Sequence, residues 1–148
     1  MPNPSDNLER QIERRLAEQQ VRLTSGRRVV IAALAAGDGP RSVAEIHRRI
    51  RRRVPLSSLY RTLAVLEAAG VIALHHSSKG ITRYELADWL RGHHHHLLCI
   101  ECGGVDDIEI PPSLEKDLRH IVSRVGVGAN FHPTDHALEI AGLCAKCT

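Results

Sequence analysis

Four cysteines stand in two pairs of identical spacing, Cys99-x-x-Cys102 and Cys144-x-x-Cys147. Thiolates are soft ligands, and four of them satisfy a zinc ion tetrahedrally with no position left open. The competing reading is a set of ordinary buried or redox-active cysteines. Two pairs at matching spacing favour zinc, because an intracellular chain keeps its thiols reduced. A site of this kind is structural. It pins the C-terminal end to the strand region of a module too small to be secure on its own core.

Just before the first pair lies His93-His94-His95-His96. On an extended strand successive side chains point to opposite faces, so His93 and His95 face one way and His94 and His96 the other. One tetrapeptide can thus feed two separate metal sites. Glu85, Asp107 and Glu115 are available to complete them, and further imidazoles stand at His75, His76, His132 and His136. Mixed nitrogen and oxygen ligands suit Fe(II), Mn(II) or Zn(II). The plainer alternative is a solvated polar run.

A third candidate is Ser58-Leu59-Tyr60-Arg61-Thr62-Leu63. Tyr60 and Arg61 fall off the Leu59/Leu63/Leu66 stripe of the helix expected here. An Arg grips guanine O6 and N7 with two hydrogen bonds, and an aromatic ring packs on a thymine methyl. Ser57 or Ser58, expected to cap this helix, would donate towards phosphate.

The elements that must position these groups are legible from periodicity. Leu8, Ile12, Leu16 and Ala17 predict a helix over residues 5–20. A second helix is expected over 25–36, stopped by Gly37-Asp38-Gly39-Pro40. Ser42 and Glu45 have capping-box spacing and open a third helix, with Val43, Ile46 and Ile50 inward, ending near Val54-Pro55. The fourth helix ends at Gly70. Residues 71–74 and 82–86 predict a hairpin turning through Ser77-Ser78-Lys79-Gly80. This order is that of a winged helix-turn-helix, which lays its last helix in the major groove. Asp88 to Gly92 reads as a hinge. Beyond it the pattern predicts strands near 97–99 and 105–110, a helix from Pro111-Pro112-Ser113 to about Val125, and a last strand over 134–140. The expected fold is α+β, with a winged-helix domain over 1–87, a hinge over 88–92 and a small α/β module over 93–148.

Composition agrees. Hydrophobic residues make up 43% of the chain's 148 residues but aromatics only 3%, so the core must be aliphatic. The net charge of +3 hides an asymmetry: residues 1–92 hold 16 Lys and Arg against nine Asp and Glu, and the remainder four against eight. A basic first half suits a polyanion. The polar N-terminus has no signal-peptide pattern, and no apolar run reaches the roughly 18 residues needed to span a bilayer. A cytoplasmic chain without membrane contact is expected.

Taken in order, Leu23-Thr24 with Arg27, Leu59 to Leu63, Arg83-Tyr84-Glu85, the run from His93 to Gly103, His136 to Ile140 and Gly142 to Cys147 resemble the ferric uptake regulator family. The likeness covers nearly the whole chain. It implies a homodimer, joined through its C-terminal module, that binds AT-rich inverted repeats in double-stranded DNA and represses when metal-loaded. Tyr60 and Arg61 would contact bases, Arg22 would reach the minor groove, and Arg27 and the cap serines Ser57 and Ser58 would lie beside them. Cys99, Cys102, Cys144 and Cys147 match the family's structural zinc site. His93, His95, Glu115 and His136 match a second site inside the dimerisation module. Glu85, His94 and His96 match three ligands of the regulatory site at the hinge.

The chain also departs from the pattern. Iron sensors usually supply a further His where this chain has Pro40, and zinc sensors a Cys near Ala87. The missing ligand is sought at His75, His76 or Asp107, and less so at His47. A carboxylate without a thiolate leans towards a harder metal, iron or manganese, although Arg41-Ser42 to Ile46-His47 looks more like the zinc-sensing branch; iron is the expectation, with manganese and zinc as alternatives. Peroxide sensing is a related reading. A zinc hydrolase and a metal-storage module are the rivals from other classes. The chain has no helical His-Glu-x-x-His for the first, and Tyr60-Arg61 would be idle in the second.

Overall fold

The computed structural model describes residues 4–77 and 79–148. The first half runs α1 (Pro4–Glu18), α2 (Ser25–Ala35), the two-residue strand β1 (Arg41–Ser42), α3 (Val43–Arg49), α4 (Leu56–Ala68), β2 (Ile72–His76) and β3 (Thr82–Leu86). A four-residue helix, α5 (Asp88–Arg91), leads to β4 (His95–Cys99), β5 (Val105–Ile108), α6 (Pro112–Gly128) and β6 (Glu139–Gly142). This is a winged helix followed by a small α/β unit.

Local chemistry accounts for most boundaries. The Thr24 side chain accepts from the Arg27 amide at the start of α2. Ser42 and Glu45 form the expected capping box, with the Ser42 amide donating to Glu45 Oε2 at 2.7 Å and the Glu45 amide to Ser42 Oγ at 3.3 Å. Helix α3 ends at Arg49 rather than near Pro55. Arg51 and Arg52 both take left-handed backbone angles, φ 51° and 57°, and their amides close back on Arg48 O and His47 O. Ser57 and Ser58 do not cap α4. The cap is Pro55, without a side-chain hydrogen bond, and both serines lie inside the first turn. Proline suits this place because its φ is already near helical and a first-turn amide has no intrahelical partner to lose.

The expected last strand over 134–140 is also displaced. Helix α6 runs on to Gly128, and β6 begins only at Glu139. A Cβ on Gly126 would lie 2.6 Å from Pro133 Cδ, and the Phe131 amide donates to Gly126 O, so the chain folds tightly back over the helix end before it straightens. The expected hinge is the short helix α5, stopped by Gly92 at φ 90°. In the wing turn Ser78 lies outside the described residues. Around it the Ser77 amide donates to Ile81 O and the Gly80 amide to Ser77 O.

The two halves differ in how they are held. Ile12, Leu16, Val30, Leu34, Ile46, Leu59, Leu63, Leu66 and Leu86 form one aliphatic cluster in the first half. Among the described residues, the second half adds only Cys99 and Val105 to the buried apolar set, while Leu114, Ile121, Val125, Phe131, Ile140 and Leu143 are exposed. At about 1.5–3 kcal/mol per fully buried large side chain, the first half has an ample core and the second does not.

The halves also interlock. Buried Arg83 on β3 donates from Nε to Gly103 O at 3.0 Å, beside the Cys99–Cys102 turn, and from Nη1 to Glu45 Oε2 at 2.7 Å and Pro40 O at 3.3 Å. Gly39 lies so near β5 that a Cβ there would meet Val105 O at 2.8 Å.

Candidate metal centres and nucleic-acid face

Two sheets bring the ligands together. In the first, with strand order β1-β3-β2, Ala73 pairs with Glu85 and His75 with Arg83, so His75, Arg83 and Glu85 share a face. In the second, with order β5-β4-β6, His96 pairs with Asp107 on one side and with Glu139 on the other. A row Glu139–His96–Asp107 thus crosses that sheet and faces Glu85 and His75.

The four cysteines converge. Strands β4 and β6 are parallel neighbours, so their ends deliver Cys99 and Cys144 to the same place. Each Cys-x-x-Cys is closed by a turn, Gly103 N to Cys99 O at 3.0 Å and Cys147 N to Cys144 O at 2.8 Å. All four sulfurs lie within 4.8 Å of one another, with Cys102 and Cys144 Sγ 3.9 Å apart. Four thiolates around zinc, each about 2.3 Å from it, stand roughly 3.8 Å from one another, so the set fits. Backbone amides at Cys102 and Cys144 draw the Cys99 thiol down to about 6, while the neighbouring Cys144 sulfur and burial push Cys147 up to about 12. A dication relieves that crowding of negative charge.

The alternation of the histidine run holds, although β4 itself begins only at His95. His93, His95 and His136 surround Glu115, at Nε2–oxygen distances of 3.3, 2.9 and 3.0 Å. Glu115 comes from the first turn of α6, and hydrogen bonding to His95 lowers its pKa. His95 is fully buried with Nδ1 unpartnered.

His94 and His96 turn to the other side, with Glu85 and Asp107. His96 Nε2 lies 2.9 Å from Glu85 Oε1 and His94 Nε2 lies 3.1 Å from Oε2. Asp107 Oδ1 is 3.6 Å from His96 and 3.8 Å from His94. Separations of about 3.0–3.4 Å are those of ligands spaced around one cation at about 2.1 Å. His75 adds a contact of 2.5 Å from Nε2 to Glu85 Oε1. His47, His76 and His132 belong to none of these groups. Arg91 of α5 enters unforeseen, placing Nη1 3.3 Å from Glu85 Oε2 and Nη2 2.7 Å from Asp107 Oδ2.

Charge in this cluster is strongly coupled. Burial would push the Glu85 carboxyl up, but hydrogen bonds from His75 and His96 and their charges hold it far below the usual carboxylate range. Burial and the nearby Glu85 charge raise Asp107. The hydrogen bond to Glu85 raises His75, and the Gly92 carbonyl and Glu85 raise His94 against its burial.

The signs give a pH prediction. Without metal, the raised histidines stabilise the cluster fully below their ordinary 6.5, and that share is lost as pH rises through their folded values. The depressed Glu85 stabilises above its ordinary 4.5 and is lost on acidification. A cation must displace the imidazole protons, so its affinity should rise with pH between about pH 6 and pH 8, with protons released. Mn(II) titrations with a pH indicator measure this. A flat affinity without proton release would refute it.

On α4, Tyr60 is 55% exposed and Arg61 is exposed beside it. Arg22 is exposed, whereas Arg27 is engaged, its Nη1 donating to Arg22 O. Ser57 is exposed and Ser58 half-buried.

A sequence profile of the ferric uptake regulator family matches residues 18–141. The chain belongs to the ferric uptake regulator family. A ferric uptake regulation protein of Bacillus subtilis (strain 168) is 31% identical over 141 residues, spanning 92% of this chain and 91% of that one. The fold matches the Helicobacter pylori ferric uptake regulator, described as having three functional metal-binding sites, with TM-score 0.76 at 23% identity over 99% of this chain and 94% of that one. It also matches a zinc-bound manganese uptake regulator, with TM-score 0.68 at 29% identity over 90% and 98%. As a member of the ferric uptake regulator family the chain is a metal-responsive, DNA-binding transcription regulator and not an enzyme. No described helix is long and apolar enough to cross a membrane.

Among the residues of these centres, sequence reasoning missed Arg91 and Glu139 as members of the hinge cluster. Glu139 had a signal, its place in the strand leading to Cys144. Arg91 had none beyond its position in the hinge.

Proposed function

We propose that this regulator is an iron-responsive repressor of metal-homeostasis genes, working in the cytoplasm as a homodimer on AT-rich inverted repeats. The observation that carries the reading is Glu85, buried on the wing strand β3 and contacted by His94 and His96 from the second half. A cation held by Glu85, His94, His96 and Asp107 ties the winged-helix domain, residues 1–87, to the dimerisation domain, residues 93–148, across the hinge at 88–92. That fixes the spacing of the two α4 helices in a dimer, so the free energy of metal binding favours the DNA-competent arrangement.

The donor set supports the metal assignment. It offers imidazole and carboxylate and no thiolate, which suits Fe(II) and Mn(II). Structural zinc would sit on Cys99, Cys102, Cys144 and Cys147, and a further ion on His93, His95, Glu115 and His136. Tyr60 and Arg61 would read bases, Arg22 would reach the minor groove, and Ser57, Ser58 and Arg27 would lie near the phosphates. The exposed apolar residues of α6, Leu114, Ile121 and Val125, fit a second copy of the chain.

The test is DNA binding against free metal. Fluorescence anisotropy on an AT-rich inverted-repeat duplex, at fixed salt and without oxygen, is measured with Fe(II), Mn(II) and Zn(II). The protein keeps its cysteine-bound zinc. A steep gain in affinity with Fe(II) at cellular free concentrations is expected. Affinity unchanged by every metal would overturn the mechanism, and a response to Zn(II) alone would move the chain to the zinc sensors.

A further inference from the structure

The hinge cluster extends beyond the four ligands of the proposed regulatory site. His96 has a sheet neighbour on each side. Asp107 belongs to the proposed regulatory set, and Glu139 lies on the other flank as the register partner of His96 in the parallel β4–β6 pair. His75 covers that flank from the wing. Its ring centroid lies 4.2 Å from that of His96, and its Nδ1 is 3.9 Å from Glu139 Oε1. One donor atom from each of His75, His96 and Glu139 falls within 4.8 Å of the other two.

The two flanks differ in access and in charge. On the inner flank Glu85 is 2% exposed and His94 7%, and Arg91 shares the carboxylates of Glu85 and Asp107. On the outer flank the Glu139 side chain is 51% exposed, and its only ion pair among the described residues runs to His75. An exposed ion pair at such a distance contributes little by itself. Two imidazoles and a carboxylate, with the remaining positions open to water, form a donor set for a divalent first-row cation.

We propose that His75, His96 and Glu139 form a second divalent-cation position on the outer flank of the hinge, alternative to the inner one. A neutral imidazole offers a single lone pair, so His96 serves one ion at a time and the two positions exclude each other. An ion arriving from solvent meets the exposed Glu139 carboxylate first. Transfer of His96 then carries it inward to Glu85, His94 and Asp107. The inference rests on the reading of the inner set as a metal site.

Cobalt(II) counting on the full chain tests it, with zinc retained on the cysteines and His136→Ala present throughout to silence the site around Glu115. His94→Ala with Asp107→Asn removes two ligands from the inner position. That variant is expected to keep one cobalt per chain, with visible bands of a nitrogen- and oxygen-ligated ion, weakened at least tenfold by Glu139→Gln and equally by His75→Gln. The parent with an intact hinge should take one cobalt there and not two. Unaltered far-ultraviolet circular dichroism and zinc content certify the fold of each variant, and the two separate substitutions guard against loss of either. No cobalt in the inner-position variant, or cobalt binding indifferent to both Glu139→Gln and His75→Gln, would overturn the outer position. Two cobalt ions at the intact hinge would overturn the exclusion. Failure of the regulatory reading shows separately, as metal-independent DNA binding by the unsubstituted chain.

Discussion

Glu85→Ala is expected to abolish the metal-dependent gain in DNA affinity while leaving a folded dimer. Glu85 is the wing's carboxylate in the hinge cluster, and its two oxygens meet His96 and His94 at 2.9 and 3.1 Å. Without it a cation held by His94, His96 and Asp107 has no ligand from β3, so metal binding and wing position become uncoupled. Couplings of this kind amount to about 1–3 kcal/mol, or roughly 5–150-fold in affinity, and that factor should fall to near one. His96→Ala should behave alike, because it removes the residue at the centre of the Glu139–His96–Asp107 row. Neither residue belongs to the cysteine cluster, so zinc content and sedimentation should match the unsubstituted chain. Anisotropy titrations with and without Fe(II) decide the matter. A full metal response in both variants would refute the hinge clamp.

Cys102→Ser should act differently and more severely. The second half buries little apolar surface, with Cys99 and Val105 the only buried apolar side chains among its described residues. Its closure depends on the convergence of the ends of β4 and β6 on the four sulfurs. Structural zinc sites contribute about 10–16 kcal/mol of apparent binding free energy to folding in small zinc modules. Replacing one soft thiolate by a hydroxyl forfeits much of that. The expected result is loss of the stoichiometric zinc, a disordered second half and monomers in sedimentation. The winged helix should survive, since its aliphatic cluster draws no residue from beyond Leu90. The Arg83–Gly103 hydrogen bond would then lose its ordered acceptor. A zinc-free Cys102→Ser chain that remained dimeric with an unchanged thermal midpoint would contradict the structural role.

Much of this was legible along the chain because the relevant rules are local. The capping box at Ser42 and Glu45 needs a spacing of three residues, and it forms as expected. The histidine run needs only the two-residue period of an extended chain, and His93 and His95 part from His94 and His96 accordingly. Errors arose where a local preference met a neighbouring constraint. Ser57 and Ser58 are good capping types, but Pro55 already begins the turn. The sequence pattern predicts a strand over 134–140, but the tight return over Gly126 and Pro133 delays it to Glu139.

The sequence by itself determined the donor chemistry, the order of the elements and the partition of the histidines, since each depends on residue type and short spacing. Only the tertiary structure decided which distant groups share a cluster. Glu139 joins His96 through the register of a parallel strand pair separated by more than 40 residues. Asp107 joins it through the opposite strand, and Arg91 reaches both carboxylates from the short helix between the halves. Arg83 binds the Gly103 carbonyl across the junction. Strand register and sheet packing are set by the burial of whole faces, and no local pattern around any one of these residues carries that information.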